Sequence, residues 1–257
     1  MALAGLEGKV VVVTGGASGI GKAVVERLLT EGSNVAFVDR DQQLVATLTQ
    51  QLADDNALGI VADVTSETDT ERYFQTTLDH FGHIDSLHAN AGIAEPGPTI
   101  AETEMDSYDR IMAVNVRGVF LAVRRQLRQL AAQGTTGSIV TTSSVIGIRG
   151  LQGSASYCAS KAAVIGLTRT AALEAGRDGN RLNVVLPGPI ETPMFDRIRG
   201  ALPEAEREAF TKALVDVVPM ARMGEAREVA SLVAWLLSDE SSYVTGGIFT
   251  VDGGQGA

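Results

Sequence analysis

Seven short runs rich in β-branched residues recur along this 257-residue chain, and each but the last leads into a stretch with helical spacing. The runs are "KVVVVTG" (9–15), "NVAFVD" (34–39), "ALGIVAD" (57–63), "IDSLHANAG" (84–92), "GSIVTTSS" (137–144), "RLNVVLPG" (181–188) and "GGIFTVDGG" (246–254). Continuous apolar runs of this length are strands covered on both faces, as in parallel sheets between helix layers. Helical spacing marks 19–31, 41–54, 66–81, 106–133, 155–177 and 226–238. In the first of these, Ile20, Val24 and Leu28 line one face and Gly32 stops the helix. The alternation predicts an α/β fold: a single doubly wound parallel sheet of about seven strands, with helices on both faces. No repeat, low-complexity linker or charge block marks a second unit, so residues 1–257 read as one domain. Residues 189–225 break the rhythm. They are rich in Pro, Met and charge, and are expected to form a mobile helical flap over a site.

The composition narrows the function. Hydrophobic residues make up 45% of the chain and aromatics 5%, so the core must be aliphatic. The formal charge of -10 repels phosphate backbones and anionic lipid, which argues against nucleic-acid and membrane partners. The start, "MALAGLEGKV", lacks a basic segment followed by an apolar run, and no run is long enough to span a bilayer. A single cysteine cannot form an internal disulfide, which fits a cytoplasmic setting. His80, His83 and His88, with that one cysteine, do not form a metal set.

After the first strand comes "TGGASGIG" (14–21), with Gly15, Gly19 and Gly21 in the turn and Ser18 and Ile20 between them. Glycines there permit a tight turn and let backbone N–H groups approach a pyrophosphate at a helix N-terminus. The pattern is weak alone. It gains force because a strand precedes it, an amphipathic helix follows, and an acid, Asp39, ends the next strand eighteen residues after Gly21. A carboxylate there can accept both hydroxyls of an adenosine ribose and repels a 2′-phosphate. Asp39 could also simply cap the next helix. Arg40 beside it could hold a 2′-phosphate, yet the loop itself carries no basic residue. The expected cofactor is NAD, with NADP disfavoured.

In "SASYCASK" (154–161), Tyr157 and Lys161 stand at i and i+4 and face one side of a helix. A lysine ammonium near a phenol stabilises the phenolate and lowers the tyrosine pKa, giving a base usable near neutral pH. Ser144 ends the fifth strand, at the edge where ligands of parallel sheets collect. Its hydroxyl can hydrogen-bond a substrate oxygen. Cys158 is expected to be a small buried side chain.

With these residues in place, the chain resembles the short-chain dehydrogenase/reductase family, with its single-domain Rossmann fold, from about Gly8 to Gly254. The ordered motifs are "TGGASGIG", Asp63-Val64, "NAG" at 90–92, Asn115 in "AVNV", Ser144, "YCASK", "PGPIETPM" at 187–194, and the terminal "VTGG" and "VDGG". The usual "NNAG" has Ala89 at its first position here. The resemblance implies a catalytic tetrad of Asn115, Ser144, Tyr157 and Lys161. It also implies that Asp63 and Val64 flank the adenine, that Asn90, Ala91 and Gly92 support the cofactor, and that Ile190 and Thr192, following Pro187 and Gly188, meet the nicotinamide carboxamide. Tyr157 and Lys161 would touch the cofactor as well, and Asn115 would position a water linking Lys161 to solvent.

The neighbours of these motifs, Ile93, Val145, Ile146, Leu151, Pro189, Met194 and Phe195, predict an apolar pocket for a hydrophobic or cyclic secondary alcohol or its ketone. Two rivals stay open. A β-ketoacyl-carrier-protein reductase using NADPH would need a basic docking patch, which Arg124, Arg125 and Arg128 could supply. Leu173 stands where such reductases tend to carry arginine, and the net charge opposes an acidic carrier. A non-catalytic dinucleotide-binding protein is disfavoured because all four tetrad positions are kept. The resemblance further implies a homodimer or homotetramer, with Val119, Val123, Ala162 and Leu167 on the outer faces of two long helices.

Overall fold

The computed structural model describes residues 2–95 and 97–257. β1 (Val10–Thr14) leads into α1 (Gly19–Thr30), β2 (Asn34–Asp39) into α2 (Gln42–Leu52), and β3 (Ala57–Val61) into α3 (Glu67–Phe81). β4 (Ser86–Ala89) leads into α4 (Met105–Met112) and α5 (Gly118–Gln133), and β5 (Ser138–Thr142) into α6 (Ala155–Ala175). After β6 (Arg181–Pro187) come a short β7 (Ile190–Glu191), α7 (Pro193–Gly200), α8 (Glu204–Asp216), a short β8 (Gly224–Glu225), α9 (Ala226–Leu237) and β9 (Ile248–Val251).

Seven strands form one parallel sheet in the order β3-β2-β1-β4-β5-β6-β9. The winding reverses between β1 and β4, which opens a crevice at the carboxyl ends of these strands. Valines in β1 alternate between two core layers. Val10 and Val12 pack with α3, α5 and α6, while Val11 and Val13 pack with α1, α2 and α9. Each fully buried valine stabilises the fold by roughly 1.5–3 kcal/mol. β7 and β8 form a separate two-stranded ribbon, which the sequence pattern does not announce.

The helix expected over 106–133 runs without a gap from Met105 to Gln133 and widens into a π-turn at Ala113–Arg117 between α4 and α5. Two expectations are corrected. Val119 and Val123 are 4% exposed and belong to the core rather than to an outer face. They follow the heptad-like face of α5 that meets the sheet, and the side chain turned outward is Phe120, 51% exposed. Cys158 is half-buried rather than buried. The helix after β2 starts at the N-cap Asp41, whose side chain accepts from Gln43 N and Leu44 N. That cap frees Asp39 from the capping role.

Residues 193–216 form α7 and α8, which bury no residue fully and pack on each other through Phe195 and Phe210, stacked at 6.0 Å. Among the described residues, no helix is long and apolar enough to cross a membrane.

Candidate active site

The glycine loop closes tightly on itself. Gly15 has φ +63°, and a Cβ on Gly21 would lie 2.0 Å from the Gly15 carbonyl oxygen. Asn90 locks the loop to β4: its Nδ2 donates to Thr14 O (3.2 Å) and Gly15 O (3.3 Å), and its N–H donates to Thr14 Oγ1 (3.0 Å). Ala91 N–H donates to the same hydroxyl. Ser18 is the N-cap of α1 but makes no side-chain cap bond, so N–H groups of the first turn face the loop mouth. Ile20 and Gly21 continue that turn. Asp39 stands beside the loop, its Oδ2 accepting from Ala17 N at 3.3 Å. Arg40 is exposed. These residues fit a dinucleotide: a glycine turn that excludes side chains, unfilled helix N–H groups and an acid at the end of the second strand.

Asp63 and Val64 follow the end of β3, Pro187 and Gly188 lie at the end of β6, and Ile190 and Thr192 lie at β7 and just after it. Asp63 is exposed, and its Oδ1 accepts from Thr65 N and Oγ1. Val64 is buried against the start of α5, where a Cβ on Gly118 would come within 2.9 Å of it. Gly188 N–H donates to Val251 O, and Ile190 is 7% exposed. Thr192 caps α7 and lies next to Gly19, whose Cβ would meet it at 3.4 Å.

Ser144, Tyr157 and Lys161 come together at the end of β5. Ser144 Oγ donates to Pro187 O and accepts from Ile146 N, both at 3.4 Å, and it stands near enough to the Tyr157 phenol to influence its ionisation. Lys161 Nζ lies 5.5 Å from the Tyr157 ring centre and donates to Thr142 O at 3.0 Å. Burial pushes the Tyr157 phenol up to about 12, against a smaller lowering by Ser144. This runs opposite to the lowering expected from the spacing, because the desolvated phenolate loses its hydration. Burial alone brings the Lys161 ammonium down to about 8.

Asn115 sits in the π-turn and is fully buried. Its Oδ1 accepts from Ile93 N (2.8 Å), and its Nδ2 donates to Ile93 O (2.9 Å) and Ser160 Oγ (3.0 Å). A Cβ on Gly92 would lie 3.2 Å from Lys161 Nζ and 3.3 Å from Asn115 Oδ1, so these three positions share one space.

Several supporting residues escape sequence reasoning. Ser160 joins Asn115 to the Tyr157 carbonyl, and Ser143 Oγ donates to Lys161 O at 2.7 Å. The one available signal was Ser160's place inside "YCASK". The expected apolar lining is only part of the surroundings. A cavity of about 130 Å³ beside Tyr157 is bordered by Glu95, Thr103, Glu104, Ser107, Ile111 and Ser154. Glu95 is bound there by Arg110 and Ser107, and these partners hold its carboxyl below the usual range. Leu151, expected in the pocket, is 46% exposed, and Val145 is buried. The candidate basic patch is partly neutralised: Arg124 pairs with Glu67 at 2.8 Å and Arg125 with Glu71 at 2.7 Å.

A family profile described as enoyl-(acyl carrier protein) reductase matches residues 15–255. The chain is 41% identical to levodione reductase of Leifsonia aquatica over 255 residues, covering 97% of this chain and 94% of that protein. It is 37% identical to a 2,5-dichloro-2,5-cyclohexadiene-1,4-diol dehydrogenase of Sphingobium indicum over 249 residues, covering 97% of each. A solved 3-ketoacyl-(acyl-carrier-protein) reductase from Brucella melitensis, complexed with NADH, superposes with a TM-score of 0.90 at 31% identity, over 98% of this chain and 100% of that one. Glycine loop, π-turn asparagine and the Ser144–Tyr157–Lys161 cluster thus occur in a chain matched over 97% of its length, and the protein belongs to the short-chain dehydrogenase/reductase family of oxidoreductases.

Proposed function

We propose that this enzyme interconverts a cyclic or hydrophobic secondary alcohol and its ketone, with NAD(H) as the preferred cofactor. The observation that carries the reading is the convergence of Ser144, Tyr157 and Lys161 on one crevice with the Asp39-bordered glycine loop. The relatives named for a cyclic dione and a cyclic diol support the substrate class.

Gly15, Ser18, Gly19, Ile20 and Gly21 would hold the pyrophosphate, Asp39 the adenosine ribose, and Asp63 and Val64 the adenine. Asn90, Ala91 and Gly92, just past β4, would support the cofactor. Pro187, Gly188, Ile190 and Thr192 would line the nicotinamide end. When bound, the nicotinamide supplies the hydride acceptor or donor and a positive charge near the phenol.

In the oxidative direction, ionised Tyr157 takes the alcohol proton while Ser144 holds the same oxygen. Lys161 stabilises the phenolate, offsetting the burial that raises the phenol, and would contact the nicotinamide ribose. Asn115 fixes the loop at Ile93 and orders the path from Lys161 to solvent. Reduction reverses these proton movements. Residues 1–257 act as one catalytic domain in this reading, with 189–225 as a flap over substrate. The molecule works as a homodimer or homotetramer built on the outer faces of α5 and α6.

Profiling NADH formation over cyclic and open-chain secondary alcohols tests the reading. Cyclic alcohols should give the higher kcat/KM with NAD. Efficient reduction of an acetoacetyl thioester with NADPH, exceeding any cyclic ketone with NADH, would instead place the enzyme with the carrier-protein reductases.

A further inference from the structure

The ladder between β4 and β5 ends at Ala89↔Thr141. One residue on, Thr142 is registered with Val185 of β6, and its carbonyl oxygen receives the Lys161 ammonium. A side-chain bond ties Thr142 back to β4: His88 Nε2 and Thr142 Oγ1 lie 2.9 Å apart. His88 is registered with Val140, so Thr142 is its diagonal neighbour on the same sheet face. His88 is fully buried and Thr142 is 6% exposed.

The pair is not a natural filler for a dry core. Burial brings His88 down to about 3, so its ring is neutral. A neutral imidazole carries one N–H and the threonine one O–H, and a single bond between them uses one proton. Nδ1 is buried without a hydrogen-bond partner among the described residues. An orphaned polar group is unfavourable there, and two apolar side chains of similar shape would pack at least as well.

We propose that His88 is a positioning residue: through the Thr142 hydroxyl it fixes the end of β5, so that the Thr142 carbonyl holds the Lys161 ammonium against Tyr157. The proposal rests on the reading of Tyr157 and Lys161 as the proton-transfer pair. Among the described residues, Lys161 Nζ is bonded to Thr142 O and the His88 ring to Thr142 Oγ1, and neither forms an ion pair. The titratable group beside Lys161 is the Tyr157 phenol, with Cys158 next to it in sequence. A carbonyl accepting from an ammonium favours the charged form. Loosening it lowers the lysine pKa, weakens phenolate stabilisation, and moves the tyrosine titration to higher pH.

The chain has four lysines, Lys9, Lys22, Lys161 and Lys212, so 13Cε-lysine NMR can follow each titration in the full-length protein. The Lys161 signal is assigned by its loss in Lys161→Met. In His88→Leu, Thr142→Val and the double variant, the Lys161 midpoint should fall by roughly half to one pH unit, with the other three unmoved. The double variant should keep or raise the thermal midpoint, and Thr142→Ser, which retains the hydroxyl, should keep the wild-type Lys161 midpoint. The acid limb of kcat/KM for cyclohexanol oxidation should rise in step. An unmoved Lys161 midpoint overturns the proposal, whatever the stability does. Tyr157→Phe separates the two readings: if it abolishes turnover while Lys161 is unmoved in the His88 variants, the catalytic assignment stands and the positioning role falls.

Discussion

Burial, more than pairing, sets the protonation of Tyr157, Lys161 and His88. Tyr157 is raised, and Lys161 and His88 are lowered, with desolvation the first cause in each. For His88 the sign is direct. Its folded value, about 3, lies below the ordinary value of 6.5, so between these the unfolded chain binds the extra proton. The stability that a neutral His88 permits is present above about 6.5 and drains away as pH falls toward 3. Thermal unfolding of His88→Leu should therefore lose less stability than wild type between pH 7 and pH 5, by up to about 1.4 kcal/mol for each pH unit. Parallel curves would contradict this. At Asp39, replacement by alanine removes the carboxylate that repels a 2′-phosphate. The ratio of kcat/KM with NADH to that with NADPH should drop by about tenfold or more, the range of one lost charge-assisted contact. Tyr157, Lys161 and Ser144 could be picked out in the sequence because spacing and strand ends mark them. Thr142 and His88 could not, since they meet across 54 residues and their value lies in a carbonyl direction.

At the scale of elements, the strand–helix alternation was legible because each buried strand is a continuous apolar run and each helix begins at a visible turn or cap. The π-turn at Ala113–Arg117 was not. Its apolar spacing continues smoothly from α4 into α5, and the extra residue per turn leaves no mark in composition. That widened turn places Asn115 where its amide reaches Ile93 and Ser160 together. Asn115→Leu should therefore orphan the Ile93 N–H and C=O and destabilise the protein by about 1–3 kcal/mol for each orphaned group, read by denaturant unfolding. The glycine loop makes a sharper claim. Gly21→Ala places a methyl on the Gly15 carbonyl, so α1 must shift. NADH affinity, measured by fluorescence titration, should collapse, with a stability loss of about 1–3 kcal/mol from overpacking. Retained affinity would mean that the loop is looser than its closure implies.

Across the whole molecule, the single sheet and the two core layers follow from the sequence, but the outward faces of α5 and α6 do not. Helical spacing alone cannot tell which of two apolar stripes meets the sheet, which is why Val119 and Val123 turned out to be core and Phe120 surface. Phe120, with Leu173 at 84% exposure on α6, gives these helices apolar surface for self-association. Light scattering after size exclusion should report a dimer or tetramer, and Phe120→Asp should move the mass toward that of one chain; a wild-type monomer would remove the proposed assembly. The central claim is that Tyr157, flanked by Ser144 and Lys161, moves the substrate proton. The most direct test is Tyr157→Phe, assayed for NAD-dependent oxidation of the best cyclic alcohol alongside NADH binding. The account predicts a loss of turnover of roughly 100- to 10,000-fold with NADH affinity nearly unchanged, whereas turnover near the wild-type rate would contradict it.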